Sequence, residues 1–155
     1  MIEVFVSRPN WVPPLFQNRL HSFYSLLDEF GFNPNTIGQN HVPLKSPFEE
    51  VSALMCKCQC TIVLGLPQIF VEKGHIKQVA LKAPLKLPTE WNQIEATISL
   101  MLNLPTLMLL HKGMTSRGIF ERGASNSFVH DFDVAKQDWV NGIRPALQAL
   151  RSATA

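Results

Sequence analysis

The segment from Pro88 to Gly113 confines the chain to few folds. It reads as a helix, a tight turn at Asn103–Pro105 and a buried strand, Thr106–Leu110. Cys60–Leu64 is a further strand, apolar almost throughout, as a strand covered on both faces must be. Around these two the chain alternates strand and helix. Ile2–Val6 reads as the first strand, followed by the polar turn Ser7-Arg8-Pro9-Asn10. Leu15–Phe30 reads as a helix with Leu15, Leu20, Phe23, Leu26, Leu27 and Phe30 inward, stopped at Gly31. Phe32–Gly38 is a weak strand that its proline and asparagines confine to an edge. Ser46 is placed to cap the next helix, with Pro47 first inside it, Glu49 closing a capping box, and Phe48, Val51, Leu54 and Met55 inward. Ser127–Phe132 is the fifth strand. Val134–Leu150 is a closing helix carrying Trp139, Ile143, Leu147 and Leu150, kinked at Pro145, after which Ser152–Ala155 fray.

This alternation predicts an α/β fold: a single flavodoxin-like domain over residues 1–155, with a five-stranded, mainly parallel sheet in the order 2-1-3-4-5 and helices on both faces. Residues 68–87 are an insertion, with a turn near 71–75 and a short strand at 76–81, long enough to be functional or mobile. Thr115–Ala124 reads as loop or broken helix.

Composition removes several classes of function. A net charge of +2, with no basic run interleaved with aromatics, argues against nucleic acid as a partner. Apolar residues make up 46% and charged ones 17%, so most elements are expected to be buried. Cys56, Cys58 and Cys60 alternate too tightly for a zinc loop and are odd in number for a disulfide framework; they read as small buried thiols at a helix-to-strand junction, with no metal. Met1 leads straight into a strand without a basic region, and the apolar run Ala96–Leu110 is broken by Asn103 and Pro105. The expectation is a cytoplasmic protein with no membrane contact.

The helix after Pro88 holds the residue of greatest chemical interest. Thr89 can cap it, and Glu90 suits the positive end of its dipole. Trp91, Ile94, Ile98, Met101 and Leu102 fall at helical spacing, which predicts one core-facing stripe. At about 100° per residue, Glu95 lies roughly 40° from Trp91 and about 20° from Leu102, at the margin of that stripe. Two readings compete. A marginal Glu commonly snorkels to water or pairs with a base; alternatively, the carboxylate is held there for use. The predicted topology favours use. Its switch point lies between the first and third strands, where ligands bind beyond the strand ends, near Ser7-Arg8-Pro9 and Gly65-Leu66.

No P-loop, dinucleotide glycine fingerprint, Gly-x-Ser-x-Gly elbow or His-Glu-x-x-His motif occurs. Val4-Phe-Val-Ser7 resembles the first strand of Toll/interleukin-1 receptor (TIR) domains, and Cys60-Thr-Ile-Val-Leu-Gly65 their third. Trp91-Asn-Gln-Ile-Glu95 is similar to the family's Trp, three residues, Glu pattern. Asn103-Leu-Pro-Thr-Leu-Met-Leu-Leu110 is similar to the loop and strand that follow. The related nucleoside 2-deoxyribosyltransferases share this fold and carry a Glu on the corresponding helix. The segment at 68–87 is longer than usual in the family, and Leu87-Pro88-Thr89 replaces its serine-rich lead.

The resemblance implies that Glu95 serves cleavage of the nicotinamide–ribose bond of NAD, by hydrolysis or cyclisation, in a bacterial antiviral system. NAD is then substrate, with no cofactor beyond it. Breaking an N-glycosidic bond develops oxocarbenium character, which a nearby carboxylate stabilises. Trp91 would line the pocket or belong to the core; Arg8 would meet a diphosphate or be a solvated loop residue; Ser7 would donate to substrate or cap a turn. Pro9, Gly65 and Leu66 would complete the site, and His111 is structural. Two alternatives stand beside this: a non-catalytic interaction module with Glu95 on its surface, acting as a homo-oligomer or with an effector protein, and base exchange on deoxyribonucleosides.

Overall fold

A computed structural model describes residues 1–125 and 127–154. The elements run β1 (Ile2–Ser7), α1 (Pro14–Glu29), β2 (Phe32–Asn35), α2 (Pro47–Met55), β3 (Cys60–Gly65), β4 (Ile69–Val71), β5 (His75–Ile76), β6 (Val79–Ala80), β7 (Leu85–Leu87), α3 (Glu90–Met101), β8 (Thr106–His111), a 3-10 turn at Gly118–Phe120, β9 (Val129–Phe132) and α4 (Val140–Ala153). Five strands form one sheet in the order β2-β1-β3-β8-β9, every pair parallel. Counted along the chain, this is the expected order 2-1-3-4-5.

Alternate residues of the central strands feed two layers. Val4, Val6, Ile62, Leu64 and Leu109 pack against α1 and α4, including Phe23, Leu27 and Leu147. Phe5, Val63 and Met108 face the opposite way, towards α2 and α3. All six residues of β3 are buried, which explains its unbroken apolar run. Gly31, with φ of 77°, ends α1 where only glycine turns left without strain.

Several local expectations need correction. Leu15 and Phe48 are exposed, each in the first turn of its helix and pointing off the sheet. Ser46 caps α2, accepting from the Glu49 amide at 3.3 Å, but it is Glu50, not Glu49, that reaches back, taking the amides of Leu44 and Lys45. The closing helix begins at Val140, because Asp133 and Asp138 first organise turns that accept from Lys136 and Asn141. It continues to Ala153, so Ser152 does not fray, and Ala155 lies outside the described residues. Cys56 is exposed, while Cys58 and Cys60 are buried, and burial pushes their thiols up to about 11 and about 12. The insertion folds into two small antiparallel ribbons, β4 with β7 and β5 with β6, in place of the single expected strand. Among the described residues no helix is long and apolar enough to cross a membrane.

Candidate active site

Helix α3 does not bury the stripe that its hydrophobic spacing predicts. Trp91, Ile94 and Leu102 are partly exposed, and Met101 is 78% exposed; of that set only Ile98 is buried. The buried face is Asn92, Glu95, Ala96, Ile98 and Ser99. Two forces explain the rotation. Ala96 is small and fully buried against the β3–β8 surface, beside Val63 and Met108, so the helix lies close to the sheet. The polar members of the face are satisfied by hydrogen bonds: Asn92 Nδ2 donates to Ser7 Oγ at 2.9 Å, and Ser99 Oγ lies 2.7 Å from Thr106 Oγ1. Glu95 therefore sits well inside the buried face, not at its margin.

Glu95 is 8% exposed, and no basic side chain among the described residues pairs with it. Burial pushes its carboxyl up from 4.5 to about 7, against the opposing pull of a hydrogen bond from Ser7. A cleft of about 330 Å³ opens beside it, lined also by Arg8, Pro9, Asn10, Thr36, Gln68 and Trp91. That volume lies at the small end of the roughly 300–1,000 Å³ typical of ligand sites. The cleft sits beyond the ends of β1 and β2 and at the N-terminal turns of α2 and α3, beside the topological switch point between β1 and β3. Glu95 is therefore not the surface residue that the interaction-module reading expected.

Arg8 is the second charged side chain on the cleft, and it is only 7% exposed. Its guanidinium donates to the Pro9 carbonyl at 3.0 Å, to Tyr24 Oη at 3.3 Å and to Gln17 Oε1 at 3.3 Å. All three acceptors are neutral. Arg8 is thus neither a solvated loop residue nor neutralised by a carboxylate among the described residues, and a buried cation of this kind favours an incoming anion.

Of the other residues singled out in the sequence, Pro9 and Trp91 line the cleft, and Ser7 is fully buried outside its lining, bonded to Asn92. Gly65 and Leu66 do not reach it. A Cβ on Gly65 would meet Leu110 at 2.9 Å and Phe120 at 3.1 Å, so this glycine serves packing, and Leu66 belongs to the α1–α4 core. Gln68, two residues on, supplies the wall instead. His111 is held between Phe16 and Phe132, its basicity lowered by burial, as a structural residue would be. Asn92, Thr36 and Gly38 were not anticipated. Thr36 hydroxyl donates to the Val6 carbonyl at 3.0 Å, pinning β2 to β1 at the rim. Gly38, with φ of 81°, lets Asn10 approach to where a Cβ would stand 2.2 Å from its amide. The spacing of Asn92, Glu95, Ala96 and Ser99 is itself a helical stripe, and that is the signal from which Asn92 could have been found.

A second cleft, of about 320 Å³, lies near Glu3, Asn35 and His41. There the Glu3 carboxylate accepts from Asn33 and Asn35, which hold it below the usual range. It is a satisfied anion and carries no comparable chemistry.

No protein-family model matches the sequence, and no curated protein matches it. A solved structure does match. The fold is similar to that of the Clostridium botulinum CMP N-glycosidase BcmB, with a TM-score of 0.55 at 15% identity over 96% of each chain. At that identity the likeness establishes shared architecture.

Proposed function

We propose that the protein cleaves the N-glycosidic bond of a nucleotide, with the Glu95 carboxylate acting at the anomeric carbon. The observation that carries this reading is a buried carboxyl with no basic partner among the described residues, its pKa raised to about 7, on a cleft where Arg8 is the only other charged lining group among those residues. The fold it shares with a CMP N-glycosidase agrees with it.

The chemistry follows from the placement. As the C1′–N bond breaks, its electron pair leaves on the base, which takes a proton from solvent. Positive charge develops at C1′, and the Glu95 carboxylate, little screened by water, stabilises it and can close on it as a glycosyl ester. Water then opens the ester and restores the carboxylate; a second base in place of water would give exchange. Arg8 suits a phosphate on the sugar, since it lines the cleft and all three of its hydrogen-bond acceptors are neutral.

A cleft of about 330 Å³ fits a mononucleotide better than a dinucleotide, so nucleoside monophosphates rank ahead of NAD, the substrate the TIR resemblance implied. The test offers CMP and other nucleoside monophosphates, NAD and deoxyribonucleosides in parallel, with products identified by mass spectrometry. Release of free base that is abolished by Glu95→Gln supports the reading. Release that survives in both Glu95→Gln and Glu95→Ala overturns it.

A further inference from the structure

A third cleft, of about 380 Å³, lies on the same rim of the sheet as the Glu95 cleft, beyond the ends of β3 and β8. Gln68 lines both, so the two have one wall residue in common. Another wall is built by the insertion. In the β4–β7 ribbon Phe70 stands directly opposite Lys86, and residues paired across an antiparallel ribbon share a face. The flanking pairs, Ile69 with Leu87 and Val71 with Leu85, lie on the other face and are half-buried, while Phe70 is 61% exposed and Lys86 is exposed. The ribbon is fixed to the chain that leaves β8. The Lys86 amide donates to Thr115 Oγ1 at 3.1 Å, and the Thr115 amide donates to the Lys86 carbonyl at 2.9 Å. His111 Nδ1 donates to the Lys112 carbonyl at 2.9 Å, which holds the backbone of the facing lysine.

The lining is cationic and aromatic. Lys86 and Lys112 line the cleft with Phe16, Phe70 and Met114, and no acidic side chain among the described residues does. Neither lysine forms an ion pair among those residues. The insertion around them is basic as well: residues 68–87 contain Lys73, Lys77, Lys82 and Lys86 against Glu72 alone. A chain with a net charge of only +2 thus gathers like charges on one segment, where they repel one another until an anion comes between them. Phe70, a large apolar side chain left in water beside Lys86, gains from being covered by a flat ring.

We propose that this cleft binds a second nucleotide, a nucleoside di- or triphosphate distinct from the one acted on at Glu95, with its base on the Phe70 ring and its phosphates between Lys86 and Lys112. Ring and charge together name the class. Lysines alone would suit any small anion, whereas Phe70 opposite Lys86 asks for an aromatic group joined to that anion. Two lysines suit more than one phosphate. A volume of about 380 Å³ is on the scale of one nucleotide and too small for a folded partner. Gln68, whose Nε2 donates to the Pro67 carbonyl at 2.9 Å, gives a ligand there direct contact with a wall of the Glu95 cleft. The proposal does not depend on Glu95 being the reacting group.

The test is a ¹H–¹⁵N NMR titration of the full chain with pseudouridine 5′-diphosphate, whose base is joined through carbon and so offers no N-glycosidic bond to break. Inorganic pyrophosphate, the phosphate part alone, is run beside it. The nucleotide is expected to shift the amides of Phe70, Lys86, Lys112 and Met114. Lys86→Glu and Lys112→Glu should each weaken binding at those amides at least about 10-fold, and Phe70→Ala about 5-fold or more. All three side chains are exposed, so the variants should keep the wild-type spectrum elsewhere. Arg8→Lys, in the other cleft, should leave binding at these amides within about twofold. Pyrophosphate should bind about 5-fold more weakly or worse. Shifts confined to the residues around Glu95 overturn the proposal. So do lysine variants that bind as wild type does. Pyrophosphate binding as tightly as the nucleotide would take the ring out of the site, and the nucleotide with it. Shifts in both clefts that are lost together in Lys86→Glu and in Arg8→Lys would also overturn it, since one ligand would then span the two.

Discussion

Asn92 Nδ2 and Ser7 Oγ lie 2.9 Å apart, joining α3 to the last residue of β1. At the far end of the helix, Ser99 and Thr106 make the matching tie to β8. Between the two ties sits Ala96, fully buried. The helix that carries Glu95 is thus fastened by small and polar groups, while its larger apolar side chains other than Ile98 are left partly in water. Close packing of this kind tolerates no added volume. Ala96→Leu is expected to destabilise the fold by about 1–3 kcal/mol, whereas Ile94→Ala, on the open side, should cost roughly 0.5 kcal/mol or less. Urea denaturation of the two variants checks the order; a larger loss for Ile94→Ala would put the helix in the wrong rotation.

If Glu95 acts as proposed, its raised pKa sets the pH dependence of the reaction. The acting form is the carboxylate, and its fraction grows as pH rises through about 7. The rate constant kcat/KM for nucleotide cleavage should rise through that midpoint and level off above it. Glu95→Gln should lower kcat by a factor of about 10³ or more, judged by what loss of one charge-stabilising group costs other enzymes. A profile that instead falls through pH 7 would make Glu95 a proton donor and shift the burden of charge stabilisation elsewhere.

The same shift has a consequence for stability. The folded-state pKa of about 7 lies above the ordinary value of 4.5, so between those values the native state holds a proton that the unfolded chain has lost. Stability must therefore fall as pH rises through this window, and level off above it. A difference of that size corresponds to roughly 3 kcal/mol at its limit. Glu95→Gln, which keeps the shape without the charge, is expected to be more stable than wild type at pH 8 and to lose most of this slope. Thermal melts of both proteins from pH 4 to pH 8 measure it. Parallel curves would mean that the carboxylate is well solvated after all.

The sheet was legible because its evidence is local and redundant: Cys60–Leu64 is apolar on both faces, Gly31 stops α1, and Pro34 marks the edge strand. The site was legible in position and not in detail. Hydropathy spacing picked Ile94 and Met101 for the core, because it weighs side chains by apolar size. What decided the rotation of α3 was the distance of closest approach to the sheet, which Ala96 sets, and the partners open to Asn92 and Ser99. Gly65 and Leu66 were placed on the cleft by adjacency to a strand end, but chain adjacency does not say which way a residue faces. The β5–β6 hairpin turns through Lys77 and Gln78 with φ of 49° and 66°. Neither is one of the residues that announce such a turn, so the ribbon left no signal in the sequence.

Arg8 offers the sharpest discrimination between substrates. Its guanidinium is anchored to Tyr24 and Gln17 on α1 and lines the cleft that Glu95 opens on. A phosphate held there would make charge-assisted hydrogen bonds, each worth about 1.5–3 kcal/mol, and Lys cannot reproduce the planar fork that makes two at once. Arg8→Lys is expected to raise KM for a nucleoside monophosphate about 10- to 100-fold and to change kcat little, because the contact is remote from C1′. For the matching nucleoside, which lacks the phosphate, the variant and wild type should differ by less than about twofold. Steady-state kinetics on the pair of substrates decides between a phosphate contact and a structural role. An equal loss on both would mean that Arg8 supports the cleft wall through α1 and recognises no phosphate.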